Sequence, residues 1–295
     1  MSIKSLLPIA SLGLLAAGAA SLSGCIINVN ASEDAPDITP VHKELTLDSQ
    51  GLKSLIAETG AGGLEIVGIE GLSQIKLVAD IYADESSEVI LTLEKSGSNA
   101  KLKAEIKPYS SFNNYSPYID LTLQVPAAMA LDIDDGSGEI VITKMIGSID
   151  VKDGSGGLSI EGGHNVSIDD GSGEIEVSNL FGTLSINDGS GGIKVTKVQG
   201  NTTIQDGSGE IEVSDIIGSL SIVDGSGSIT ANNIQGSVTI EDGSGEIEVR
   251  DVKNAVTITD GSGDINVFNT QGLTVLEAGS GQIHFDQING AVTVK

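Results

Sequence analysis

The chain has 295 residues, with 39 glycines, four tyrosines, four phenylalanines and no tryptophan, so its core must be aliphatic rather than built around large rings. With 15 basic against 41 acidic residues the formal net charge is −26, which excludes nucleic acid and anionic membrane surfaces as direct partners and favours polycations and metal ions. A hydrophobic content of 39%, joined to a clear internal repeat, excludes wholesale disorder.

In chain order, the first segment holds Lys4, an apolar stretch from Leu6 to Leu22 and small residues before Cys25. This pattern reads as an export signal over residues 1–24. The stretch "LSGC", Leu22 to Cys25, resembles the lipobox of bacterial lipoproteins, in which cleavage before the cysteine is coupled to lipid attachment on its sulfur. Cys25 is the lone cysteine, which also excludes an intrachain disulfide and a Cys-rich zinc site. The lipobox resemblance implies a membrane anchor through the N-terminal lipid. With Ile26 rather than an aspartate after the cysteine, it also implies the outer membrane as destination. Several acyl chains on one terminus hold far more firmly than one. Residues 25–44, polar with Pro36 and Pro40, read as the lipidated terminus and a flexible tether.

Residues 45–130 read as degenerate coils carrying an insertion. "TGAGGLEIVGIEG", Thr59 to Gly71, has a glycine turn followed by Leu64, Ile66 and Ile69, with Ile75 and Leu77 as a second, displaced strand. Residues 88–94 and 99–106 alternate around "SGSN" and predict a β-hairpin, a flap or cap. Residues 118–125 and "LDID" at 131–134 then lead into the repeats.

Residues 131–295 are periodic. The triplet Gly-Ser-Gly begins at Gly136, Gly154, Gly171, Gly189, Gly207, Gly225, Gly243, Gly261 and Gly279, a spacing of 18 with one 17. Within each unit apolar residues recur as in Ile211, Val213, Ile216, Leu220 and Ile222: two short strands of period two with one apolar plug between them. A period of 3.6 residues does not place these on one face, so a helix is excluded. The pattern predicts an all-β fold, a single-chain parallel β-solenoid of nine regular coils in which each strand pairs with its equivalent above and below. At about 4.8 Å per coil the stack is about 43 Å long, and a right-handed coil is expected from the bias of parallel crossovers. The 17-residue unit replaces its corner with Gly162 and Gly163, which permit a tighter bend.

The stack turns each position into a column. The residue after each turn runs Glu139, Gly157, Glu174, Gly192, Glu210, Ser228, Glu246, Asp264, Gln282, so acid and non-acid alternate over the first seven coils. This relieves repulsion between neighbours about 4.8 Å apart. It also explains why "DGSGEIEV" returns every 36 residues, an explanation compatible with recent duplication of two coils. Outward Glu176, Lys194 and Glu212 place a lysine between two glutamates. A hydroxyl column comprises Ser167, Ser185, Thr203, Ser221, Thr239, Thr257, Thr274 and Thr293, broken by Asp150. It suits a flat surface, glycans or ice, and is also ordinary for a solvent-facing strand.

The candidate site is the turn aspartate column: Asp135, Asp153, Asp170, Asp188, Asp206, Asp224, Asp242 and Asp260, ending at Ala278. Either each aspartate accepts hydrogen bonds from the glycine amides of its turn, or the column binds cations such as calcium. "DIDDGSGEI" at 132–140 is not an EF-hand loop, because alignment puts apolar Ile133 at the first ligand position. The coil also lacks the glycine spacing of calcium-binding nonapeptides. His42, His164 and His284 fall in the tether, a corner and an outward strand position, so no catalytic residue, metal site or cofactor is assigned and the chain reads as non-enzymatic. The last coil stops part-way at Val292 and Val294, which raises the expectation of end-to-end self-association or capping by a partner.

With the lipobox, the "TGAGGLEIVG" coil and the "DGSGxIxV" units in view, residues 45–295 resemble the bacterial putative-adhesin β-solenoid family of unknown function. A weaker likeness is to bactofilins, which polymerise through solenoid ends but lack an export signal. The family resemblance implies adhesion, with a link to envelope stress, and supplies no binding residue. The expected function is a non-enzymatic outer-membrane lipoprotein presenting an acidic rod, periplasmic or surface-exposed, for adhesion or envelope scaffolding. The alternative is an envelope-stress module that binds cationic peptides or calcium.

Overall fold

The computed structural model describes residues 40–84, 87–107 and 116–295. The chain divides into units 1–36 and 37–295; the signal segment and Cys25 lie outside the described residues. Every regular element among the described residues is a strand. The first nine are β1 (Val41–Asp48), β2 (Ser54–Ala61), β3 (Leu64–Ile69), β4 (Gln74–Tyr82), β5 (Glu88–Ser96), β6 (Asn99–Lys107), β7 (Tyr118–Pro126), β8 (Ala130–Ser137) and β9 (Ile140–Met145).

From β8 onward the solenoid is regular. Each coil gives one strand to a stack that starts at β8 and one to a stack that starts at β9. Both stacks are parallel, so Leu131, Ile149, Val166 and Leu184 superpose in one, and Ile140, Leu158, Ile175 and Ile193 in the other. The period-two alternation turns these aliphatics inward, where all are buried. The plugs between strands, Met145, Leu180, Val198, Ile216, Ile234 and Val252, are also buried. Thr270 takes the plug position one coil later and satisfies its hydroxyl by donating to the Gly272 carbonyl at 3.2 Å.

The shortened coil omits the plug altogether. Gly162 and Gly163 adopt φ of 92° and 122°, and a Cβ on Gly163 would lie 3.0 Å from Ile149 Cδ1 and 3.2 Å from Val166 Cγ2. Backbone there fills the space that a plug side chain fills elsewhere.

The N-terminal region departs from simple succession. The degenerate coil is β2–β3, whose Gly60-Ala61-Gly62 turn occupies the Gly-Ser-Gly corner, with Ala61 opposite Ser137. It therefore starts earlier than the expected Thr59. On one side it pairs in parallel with β8 and β9, and on the other with β6 and β7. The chain thus lays down the second coil before the outermost one, then crosses back to build the third. Ile75 and Leu77 do not form a parallel second strand: β4 runs antiparallel to β7, with Leu77 opposite Leu123. Antiparallel β1 covers β4, and β5 pairs antiparallel with β6 as the expected hairpin. The sheet takes up the last four residues of the stretch read as tether, since Val41 pairs with Ile81 and Glu44 with Val78. At the other end Val292 and Val294 are 41% and 48% exposed.

The third residue of each Gly-Ser-Gly corner sets how closely coils stack. Gly209 has φ 155°, and a Cβ there would lie 1.6 Å from the Gly191 carbonyl oxygen. Both the backbone conformation and the approach of the neighbouring chain require glycine. Gly209→Ala is therefore expected to cost more than about 3 kcal/mol in chemical denaturation, whereas Ser208→Ala, one residue away, should stay within about 0.5 kcal/mol.

Candidate functional site: a buried aspartate ladder

The eight turn aspartates stand in one column in register, from Asp135 opposite Asp153 through to Asp242 opposite Asp260. They share a face with the aliphatics two residues earlier, as Asp188 does with Ile186 and Leu184, so their side chains point into the core. All eight are buried, between 1% and 7% exposed. A short acid at this step does two things at once: it closes the strand into the turn and stays out of water.

One oxygen of each interior carboxyl group is well served. Ser208 N–H donates to Asp206 Oδ1 at 3.1 Å, and the same bond recurs from Ser190 to Asp188 at 3.2 Å and from Ser244 to Asp242 at 3.0 Å. The serine amide is the aligned donor, with the expected glycine amide adding a weaker contribution. The glycine amide is spoken for by the neighbouring coil: Gly207 N–H donates to the Asp188 carbonyl at 3.1 Å.

The other oxygen, Oδ2, is buried and without a hydrogen-bond partner in all eight aspartates. Buried polar atoms ordinarily find partners, so eight in one line is a structural feature in its own right. Desolvation pushes every one of these carboxyls above the ordinary aspartate range. In Asp153 and Asp242 it acts together with their charged neighbours to push them up to about 6. Two full charges one coil apart repel by about 3–4 kcal/mol at the effective dielectric of a protein.

The ends of the ladder differ from its interior. Thr59 of β2 sits opposite Asp135 and its hydroxyl donates to Asp135 Oδ1. At the other end Asp260 is followed by Ala278. Among the described residues no group of three or more His, Cys, Asp or Glu side chains converges on a metal-sized point.

The remaining expected features keep their register. The hydroxyl column is continuous from Ser167 through Ser185, Thr203, Ser221, Thr239, Thr257 and Thr274 to Thr293. Glu176, Lys194 and Glu212 stand opposite one another, although no ion pair closes between them among the described residues. His42 lies in β1, with Nδ1 2.8 Å from Asp80 Oδ1 and Nε2 3.5 Å from Glu44 Oε1. Hydrogen bonding to Asp80 first, and to Glu44 second, raises its pKa. His164 and His284 are both exposed on other coils, so the three imidazoles do not meet.

One column escapes the pattern of apolar steps. Lys144, Asn179, Lys197, Asp215, Asn233, Asp251, Asn269 and Gln287 all have φ between 54° and 60°. Asparagine and aspartate tolerate this left-handed conformation best among non-glycine residues. Their recurrence just before each plug was the available signal. The column also pairs amide with acid: Asn233 Nδ2 donates to Asp215 Oδ1 at 2.6 Å, and Asn269 Nδ2 to Asp251 Oδ1 at 2.5 Å. Next to it, Phe181 and Ile217, each 53% exposed, line a shallow groove of about 410 Å³ with Lys197 and Asp215.

No protein-family model matches the chain, and no curated protein matches it. Among solved structures, it is similar to one described as a "putative cell adhesion protein" from Clostridium sporogenes ATCC 15579, at 10% identity and a TM-score of 0.24, over 87% of this chain and 99% of that one. It is also similar to a "putative adhesin" from Bacteroides fragilis NCTC 9343, at 12% identity and a TM-score of 0.37, over 86% of this chain and 97% of that one. The solenoid described above rests on this chain's own strand register.

Thr59→Val removes the one hydroxyl donor to the ladder and leaves a charged Asp135 short of a partner. The expected loss is about 1.5–3 kcal/mol at pH 8. It should shrink toward pH 4, because protonation of Asp135 removes the charge that the hydroxyl stabilises. Denaturation of wild type and variant at both pH values checks the magnitude and the sign.

Proposed function

We propose that the chain is a non-enzymatic lipoprotein of the bacterial outer membrane, anchored through Cys25, that presents an acidic β-solenoid for adhesion or envelope scaffolding. The observation that carries this reading is the in-register hydroxyl column. A serine or threonine hydroxyl, exposed or half-buried, repeats about every 4.8 Å along one face. A single exposed hydroxyl contributes little to binding, but identical groups at a fixed interval suit a partner that is itself repetitive, such as a cell-surface polymer. Serine and threonine carry short side chains, so ordering them on contact costs little rotamer entropy.

The exposed acids Glu139, Glu174, Glu210, Glu246 and Asp264 after the turns favour a second reading, a sink for cationic peptides or calcium. The two differ in salt dependence, since binding to an exposed charge column weakens steeply as salt rises.

Two measurements test the proposal. Cys25→Ser is expected to abolish incorporation of labelled fatty acid and to move the protein from the membrane to the soluble fraction. Thr203→Lys combined with Thr239→Lys should lower adhesion of protein-coated beads to bacterial surfaces at least tenfold without loss of folding. If adhesion persists in the double variant yet disappears in high salt, the cationic-ligand reading takes its place.

A further inference from the structure

The aspartate ladder presents an unmet need: eight inward carboxyl groups, each with a buried Oδ2 that lacks a donor. What supplies the donors follows from the neighbours on every side. Along the column each aspartate faces another aspartate, except that Thr59 precedes Asp135 and Ala278 follows Asp260. Across the interior stand the aliphatics of the opposite stack, including Ile175, Val177, Ile193 and Val195, none of which titrates. The charged residues just before the turns, Asp134, Lys152, Asp169 and Glu241, and those just after, Glu139, Glu174, Glu210, Glu246 and Asp264, are exposed. The amides of the turn are already engaged. At the start of the column the Thr59 hydroxyl serves as a donor. Inside it, the sole donor that one aspartate can offer another is a carboxyl proton.

We propose that the column is a proton-binding ladder, in which carboxyl and carboxylate alternate along the stack and each carboxyl donates its Oδ2–H to the carboxylate on the next coil. Strands about 4.8 Å apart bring neighbouring carboxyl oxygens into the range of an O–H···O⁻ bond, about 2.5–2.7 Å, when the two groups align along the stack. A metal ion fits less well. Calcium takes six to eight oxygens, each rung has one oxygen to spare, and no trio of ligating side chains converges among the described residues. A proton requires one donor and one acceptor, which two adjacent rungs provide. Because the rungs are coupled, protons leave in macroscopic steps that belong to the ladder and not to single residues.

The consequence is a solenoid that tightens in acid. The folded carboxyls hold protons to a higher pH than unfolded aspartate does, so the folded state binds more protons across that interval. Stability is then full below the ordinary aspartate pKa of about 3.9 and is lost as pH rises through the folded values, which reach about 6 at Asp153 and Asp242. This is the reverse of ordinary acid denaturation.

The test uses the full-length chain. Infrared spectra in heavy water, recorded from pH 4 to pH 8, should retain the carbonyl stretch of protonated carboxyl groups well above pH 5. That band should be reduced in a variant carrying Asp188→Asn, Asp206→Asn and Asp224→Asn. Asparagine keeps the acceptor for the serine amide and mimics the protonated form, so Asp206→Asn alone should raise the thermal midpoint at pH 8 by about 2–4 °C and flatten its decline with pH. Glu210→Gln, which removes an exposed charge beyond the same turn, should not reproduce this gain. The proposal is overturned if the carboxyl band disappears with an ordinary aspartate pKa, or if Asp206→Asn lowers the midpoint at pH 8. It is equally overturned if calcium raises the wild-type midpoint at pH 8 and the triple variant abolishes that rise, since the ladder would then hold metal.

Discussion

Parallel pairing of each strand with its own equivalent one coil away is the constraint from which the rest of this molecule follows. Such pairing places like on like, so every position is tested against copies of itself about 4.8 Å above and below. Aliphatic side chains pass this test readily, and Ile204, Ile222, Ile240 and Ile258 form a continuous buried file. The glycine corners pass it because the carbonyl of one coil occupies the space where a Cβ of the next would stand. No single coil buries enough surface to be stable alone, and cooperative stacking supplies the difference.

Charge is the hardest thing to stack, and the chain handles it in three ways. After each turn, glutamate alternates with glycine or serine over most of the stack, which doubles the distance between like charges. In the left-handed corner, aspartate alternates with asparagine over the four coils from Asp215 to Asn269, and the amide of one coil bonds the acid of the preceding one. At the turn itself no alternation occurs. Eight aspartates follow one another, and repulsion is met by burial, a serine amide on one oxygen and, in our proposal, a shared proton on the other. The first two devices operate every second coil and together give physical content to the 36-residue echo.

The N-terminal end solves a different problem. A parallel stack exposes unpaired backbone at its last coil, an invitation to edge pairing. Here the outermost coil, β6–β7, is flanked by antiparallel β5 and β4, with β1 beyond. A change of strand direction at the edge interrupts the repeat, so a further coil of the same kind has no template there. The cost is a chain path out of spatial order, with β2–β3 clasped between strands that follow it in sequence.

Much of this was legible in the residues themselves. The 18-residue period, the two alternating runs and the glycine triplet determined the strands, the corners, the buried plugs and the columns, because in a stacked repeat the local pattern is also the tertiary contact. The inward orientation of Asp188 was available too, since it stands two residues beyond Ile186 on a strand of period two, and the asparagines at the left-handed corner carried their own signal. What the tertiary structure alone decided is where periodicity is absent: that β2–β3 lies beneath β6–β7, that β4 runs backwards, that Thr59 meets Asp135 across 76 residues, and that one oxygen of every turn aspartate is left without a donor. These depend on long-range pairings between dissimilar segments and on which atoms reach one another in a closed interior, and no repeat records either.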